Sequence, residues 1–206
     1  MPKKAKVAIR LAVPEDSQDI LDLYTPYVTD TVITFVSTPP TVEEIAAKML
    51  DIQRHYPYLV CTFDDKVVGF AYANWVRPHE AYRWNAELSI YVDRAYHGRG
   101  IATALYTALL QILKAQGFCN LYAVITLPND ASVALHRHFG FTDLSVHKAS
   151  GYKLGAWQDV LWMEYRIDGC ADPGTHGLPV APAMLHTNEI QTALGLATAL
   201  LSGAQG

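Results

Sequence analysis

The stretch from Glu87 to Leu113 constrains the fold of this chain more than any other. Leu88, Ile90 and Val92 alternate with Ser89, Tyr91 and Asp93, the period of a strand. Gly98 and Gly100 end the alternation, and Ile101, Leu105, Leu109, Ile112 and Leu113 then recur at helical spacing. A strand, a glycine loop and a helix in that order aim the helix's unpaired first N–H groups, and the positive end of its dipole, at one point. Such a point attracts an anion, most naturally a phosphate. The two commonest nucleotide loops do not fit. A P-loop needs Lys then Ser or Thr after its second glycine, and Ile101 and Ala102 stand there. A dinucleotide fingerprint needs a third glycine, where Thr103 stands, and an acidic residue about twenty positions on, which Cys119-Asn120-Leu121-Tyr122 does not offer. Glycines that serve turn geometry alone are the alternative.

The chain has 206 residues, enough for one domain with a sizeable core. Its formal net charge of -4 argues against nucleic acid as an obligatory partner. The one basic run, Lys3, Lys4 and Lys6, reads as a solvated arm; no apolar segment follows it, so no signal peptide is expected. No uninterrupted apolar stretch is long enough to span a bilayer. Cys61, Cys119 and Cys170 form no Cys-x-x-Cys pair, which favours a reducing compartment and no structural zinc. A cytoplasmic protein with no membrane partner is the expectation.

Ahead of the central stretch, Val7–Leu11 reads as a strand and Glu15–Val28 as a helix that Pro26 should bend or end early. Thr31–Pro40 is a loop with an apolar middle, where Phe35 is either packing or part of a binding wall. Thr41 and Glu44 form a capping box that opens a helix ending before Pro57. Tyr58–Phe63 and Lys66–Asn74 read as a strand pair, with a bulge at Gly69. The loop Trp75–Trp84 carries Arg77, His79, Glu80, Tyr82 and Arg83, which suit a small polar ligand or a solvated turn. After Gly117 stops the central helix, Leu121–Thr126 reads as a strand, Ala131–Phe139 as a helix, and Thr142–Tyr152 with Trp157–Tyr165 as a final strand pair. Residues 168–206 turn rich in Gly, Pro and Ala and then apolar over Ile190–Leu201. They are expected to be an extension, flexible or a peripheral helix, outside a domain of residues 1–167.

Glu87 begins the central strand amid Trp84, Ala86 and Leu88. Burial there would raise its pKa and suit a general base; an exposed strand-end glutamate is the alternative. His136 lies on the helix after Asn129, two positions from His138, so the pair points to roughly opposite faces and no shared metal is expected. A satisfied helix histidine is the plain reading of His136.

His97-Gly98-Arg99-Gly100-Ile101-Ala102 resembles the Arg/Gln-x-x-Gly-x-Gly/Ala loop of the GNAT superfamily of acyl-CoA-dependent N-acetyltransferases, departing only at its first position. From Glu87 to Tyr165 the chain resembles the phosphinothricin and methionine sulfoximine N-acetyltransferase branch, through Tyr106-Thr107, Leu127-Pro128-Asn129-Asp130, Leu135-His136, Gly151 to Gly155 and Trp157. The resemblance implies a mixed α/β GNAT fold, a twisted and mostly antiparallel sheet splayed at the central strand and flanked by helices. It implies acetyl-CoA as co-substrate, with no metal. Gly98, Arg99, Gly100, Ile101, Ala102 and Thr103 would hold the pyrophosphate, and Ile90, Tyr91 and Val92 the pantetheine arm, with Asn129 and Ser132 nearby. Glu87 becomes the base, and His136 takes a place in proton transfer. Phe35, Arg77, Tyr82, Lys153 and Trp157 become candidates for the acceptor pocket, with Arg77 or Lys153 pairing with the acceptor's acid group. The implied reaction is direct acetylation of the α-amino group of a small amino-acid analogue in a ternary complex, by a homodimer. The alternatives are the same transfer to a polyamine, an aminoglycoside or a protein N-terminus, and a non-catalytic acyl-CoA-binding module. Glu87 together with His136 weighs against the last.

Overall fold

The computed structural model describes residues 6–169 and 177–203; Lys3, Lys4 and Cys170 lie outside them. The strands β1 (Val7–Leu11), β2 (Tyr58–Phe63), β3 (Lys66–Asn74), β4 (Asn85–Val92), β5 (Asn120–Thr126), β6 (Thr142–Lys153) and β7 (Ala156–Arg166) form one sheet, ordered β1-β2-β3-β4-β5-β7-β6. The helices are α1 (Ser17–Asp30), α2 (Val42–Gln53), α3 (Ile101–Gln116), α4 (Asp130–His138) and α5 (Thr187–Gly203).

Residue alternation along β3 sorts the helices between the two faces. A side chain at Gly69 would meet Ile101 at 3.0 Å and Leu105 at 3.3 Å, so that face carries α3 and needs a glycine for its close approach. Tyr72, three positions on, faces the other way and meets Lys48 of α2. Beside Gly69 the register with β2 slips, Cys61 pairing with Gly69 and Thr62 with Val67, which is the bulge that the glycine signals in the sequence.

Every pairing in the sheet is antiparallel except β4 with β5. That parallel pairing covers only Asn85–Glu87 against Asn120–Tyr122. Beyond it β4 stays on β3 as far as Val92, and β5 stays on β7 as far as Thr126, so the two halves of the sheet part at Glu87. The splayed central strand implied by the resemblance is therefore present.

Two expectations change. Helix α1 runs through Pro26 to Asp30 instead of ending early. Hydroxyls of Thr25, Thr29 and Thr31 donate to the carbonyls four residues back, and the turn after the proline is anchored by buried Tyr27 and Val28. Tertiary anchoring outweighs the lost N–H of a single proline. The residues after position 176 also do not hang free. Val180 exchanges hydrogen bonds with Gln116 at the end of α3, through N–H to the Gln116 carbonyl at 2.9 Å and from Gln116 Nε2 at 2.7 Å. Trp84 Nε1 donates to the Gly177 carbonyl. Helix α5 then packs on α3 and β1, with Ala193, Leu194, Ala197 and Leu201 inside the hydrophobic core. Thr198 Oγ1 accepts from Ile9 N–H at 3.0 Å, so α5 also covers the outer edge of β1.

Helix α3 is thus enclosed on two sides, and Leu105, Leu109 and Leu113 are fully buried. No described helix is long and apolar enough to cross a membrane. An aspartate in place of fully buried Ala197 leaves an unpaired charge in the core. The Ala197→Asp variant should lose about 3 kcal/mol in urea unfolding; a helix held apart from the domain would give no change.

Candidate active site

Glu87 is the last residue of β4 to face β5, opposite Tyr122 on one side and Asn74 on the other. It is half-buried. Burial holds its pKa above the usual glutamate value, and the charge of Lys48 pulls it part of the way back. From Leu88 to Val92 the edge of β4 that would have met β5 has no strand beside it. Backbone groups on that edge are available to an extended ligand.

The strand ends in the glycine loop. Gly98 and Gly100 adopt φ of 75° and 76°, the left-handed conformation that an L side chain resists. Gly100 is the N-cap of α3 and offers no side chain, so no cap covers the first N–H groups of a 16-residue helix. His97 lines this opening with its ring nitrogen tied to the strand end. Its Nε2 donates to the Val92 carbonyl at 3.0 Å, the same carbonyl that accepts from Tyr27 Oη at 2.6 Å. The departure from Arg or Gln at this position thus serves to tie the loop to the end of β4. Leu201 of α5 lies beneath the loop, 3.9 Å from where a Cβ on Gly100 would sit.

A cleft of about 410 Å³ runs from Gly98, Gly100, Ile101, Ala102 and Thr103 along Ile90–Val92, with Asn129 and Ser132 of the α4 N-terminus opposite. Arg99 is absent from its wall; its guanidinium lies over the Tyr96 ring, 5.0 Å from the centroid. Asn129 is engaged as the cap of α4, its Oδ1 accepting from Ser132 N–H at 3.2 Å. The cleft continues, past Ile33, Ile90, Tyr91, Asn129 and Ser132, into a cavity of about 210 Å³ in the parting of the sheet. Glu87 stands on the β4 side of that cavity, and His136 with Tyr106 on the other. The uncapped helix start, the two left-handed glycines and the free strand edge suit a pyrophosphate followed by an amide-bearing arm.

His136 is 2 % exposed and has a partner at each ring nitrogen. Nδ1 lies 2.7 Å from the Ser132 carbonyl, which can only accept, so Nδ1 carries the proton. Nε2 then accepts from the hydroxyl of Tyr106 at 2.7 Å. Burial lowers the His136 pKa, and the Ser132 carbonyl only partly restores it, so the ring is neutral near pH 7. Burial also raises the pKa of Tyr106, which keeps its proton. Tyr106 belongs to the Tyr106-Thr107 pair of the resemblance but is not singled out there as a site residue. A tyrosine on an otherwise aliphatic helix face is the signal that finds it, because a buried hydroxyl needs a partner.

The acceptor candidates do not all converge. Phe35 lines the cavity, its ring packed directly on the Cα of Gly151. Lys153 is buried and donates to the Thr34 carbonyl at 2.7 Å, which clasps the 31–36 loop to the β6–β7 hairpin. Burial lowers its pKa. Trp157 is 64 % exposed on the same hairpin, against Tyr152. Tyr82 and Arg77 are exposed on the loop before β4 and line neither the cleft nor the cavity. The rest of that loop bounds a separate cavity near the end of α3, where Trp75, His79 and Arg83 meet Phe118 and Pro179.

A site with a phosphate cradle at one end of a split sheet and a carboxylate of raised pKa at the split is that of an acyl-CoA-dependent transferase. The acetyltransferase (GNAT) domain family matches residues 9–162, and the chain belongs to that family. It is 37% identical over 159 residues to the phosphinothricin N-acetyltransferase of Streptomyces viridochromogenes, covering 77% of this chain and 87% of the relative. It is 33% identical over 164 residues to the L-methionine sulfoximine/L-methionine sulfone acetyltransferase of Pseudomonas paraeruginosa, covering 78% and 95%. The crystal structure of a GNAT superfamily phosphinothricin acetyltransferase from Sinorhizobium meliloti in complex with AcCoA superposes with a TM-score of 0.77 at 35% identity, covering 89% of this chain and 98% of that one. The protein is an acetyl-CoA-dependent N-acetyltransferase.

The raised pKa of Glu87 gives a test of whether it serves as the base. A base must be ionised to accept a proton, so activity that depends on Glu87 is present above its pKa and is lost as pH falls through it. The acid limb of kcat/KM should lie above the ordinary glutamate value of about 4.3. It should vanish in Glu87→Gln.

Proposed function

We propose that this enzyme acetylates the α-amino group of a small amino-acid analogue of the phosphinothricin or methionine sulfone type, by direct attack within a ternary complex. The observation that supports this most is the position of Glu87, at the end of the β4–β5 pairing and at the wall of a cavity of about 210 Å³. A cavity that small suits a small acceptor.

The α3 N-terminus and the free edge of β4 hold acetyl-CoA, which supplies the thioester carbonyl and a thiolate leaving group. Glu87 takes a proton from the acceptor's ammonium, and the freed amine attacks. Free N–H groups on the β4 edge offer donors to the oxygen that gains charge. Tyr106, whose hydroxyl proton rests on His136 Nε2, stands on the far wall, and turning that hydroxyl toward a departing thiolate would give it the donor it needs. His136 therefore acts by positioning Tyr106, since its ring is neutral with the proton on Nδ1 and Nε2 has none to return. Cys61 offers no nucleophile for an acyl-enzyme. It is buried in β2, and burial pushes its thiol up to about 12.

A homodimer is part of the same reading. The edge strand β6 and the β6–β7 hairpin expose Leu144, Val146, Tyr152, Leu154 and Trp157, an apolar set that a monomer has little reason to show. Light scattering should give twice the chain mass, and Leu154→Lys with Trp157→Lys should halve it. For the activity, CoA release should follow addition of phosphinothricin or methionine sulfone but not spermidine. Glu87→Gln should lower kcat by about a hundredfold or more while the KM for acetyl-CoA stays within threefold. Turnover on spermidine alone would discard this acceptor class.

A further inference from the structure

Among the described residues, one cation overlooks the reacting carboxylate without a carboxylate of its own. Lys48, on α2, forms none of the ion pairs of the protein. Its Nζ donates to the hydroxyl of Tyr72 at 3.1 Å and lies 5.0 Å from the centroid of that ring. The residue is exposed as a whole, while its ammonium end is partly buried against Tyr72.

The register of the sheet places this cation relative to Glu87. Tyr72 stands opposite Ser89, and Asn74 opposite Glu87, so all four share the face that carries α2. Tyr72 and Glu87 are thus diagonal neighbours across one antiparallel pair, separated by about 7–8 Å at the backbone. Tyr58, Phe70 and Tyr91 continue that face as a floor of stacked rings. Tyr24 from α1 closes it, edge-on to Tyr91 and hydrogen-bonded to the hydroxyl of Thr34, which lines the cavity. The charges of Lys48 and Glu87 also act on one another, each favouring the ionised form of the other.

An α-amino acid carries its ammonium and its carboxylate on one carbon. A site for it needs an acceptor for the first and a cation for the second, spaced by the two groups and two hydrogen bonds of about 2.7–3.2 Å. Glu87 and Lys48 supply those two charges on the face of the sheet that carries α2, with Lys48 held there by Tyr72. We propose that Lys48 binds the α-carboxylate of the acceptor and so selects amino acids over simple amines. The assignment rests on the acceptor class proposed above, and it gives the anion-pairing role considered for Arg77 and Lys153 to a different residue.

The test uses two acceptors that differ only in the carboxylate, methionine sulfone and 3-(methylsulfonyl)propan-1-amine, with the intact enzyme. Wild type should prefer the amino acid in kcat/KM. Lys48→Met should lower kcat/KM for methionine sulfone by about 10–100-fold, mainly through KM, the range expected for one charge-assisted hydrogen bond. Compared on the pH plateau above the acid limb of each enzyme, so that Glu87 is ionised in both, it should leave the amine within about twofold and the KM for acetyl-CoA unchanged, and Lys48→Arg should restore part of the preference. An undiminished preference in Lys48→Met, or an equal loss on both acceptors, would overturn the role of Lys48 and leave the acceptor class standing. Wild-type turnover of the amine without turnover of methionine sulfone would overturn both.

Discussion

Three residue pairs between β4 and β5 hold the two halves of this protein in one sheet, and the point where they stop decides the rest. A longer pairing would have filled the space between the strands with backbone hydrogen bonds. A shorter one would have left Glu87 without a fixed position. Because the ladder ends at Glu87 and Tyr122, one carboxylate is held by regular structure on its near side and faces an opening on its far side. Its neighbours down the strand keep β3 as a partner, so the free edge stays straight enough to serve as a rail for an extended ligand.

The opening is walled by rigid parts on every side. The Val92 carbonyl gathers Tyr27 from α1 and His97 from the glycine loop, which joins the strand end, the first helix and the loop in one small network. On the opposite wall Ser132, His136 and Tyr106 form a second chain of hydrogen bonds in which each buried polar atom is satisfied in one orientation only. Third, the 31–36 loop is fastened to the β6–β7 hairpin by Lys153 and by Phe35 on Gly151. A site built in this way is preorganised, which is what differential stabilisation of a transition state requires.

The sequence makes the local parts of this arrangement legible and hides the distant ones. Strand period, two glycines and a helix start are read from neighbouring residues, and the Thr41–Glu44 capping box forms as the spacing predicts, with both of its hydrogen bonds present. The partners of Tyr106 and Lys153 lie 30 and 119 residues away, and no periodicity reports them. Lys48 looks like any solvent-facing helix lysine until the fold sets it over Tyr72. The docking of α5 does have a trace in the sequence. Ala104, Leu105, Ala108, Leu109, Ile112 and Leu113 wrap around more of α3 than one sheet face can cover, so a second layer is required.

That second layer bears on how copies of the molecule can meet. A sheet in this order has two outer strands, β1 and β6. Helix α5 lies along β1 and even occupies the N–H of Ile9 with the hydroxyl of Thr198, which removes that strand as a template. Of these two outer strands, among the described residues, β6 keeps an open row of backbone groups, and the free stretch of β4 lies inside the split of the sheet. A surface with one sticky margin can join once and is then used up, so edge-to-edge contact between copies closes on a pair and has nowhere to propagate.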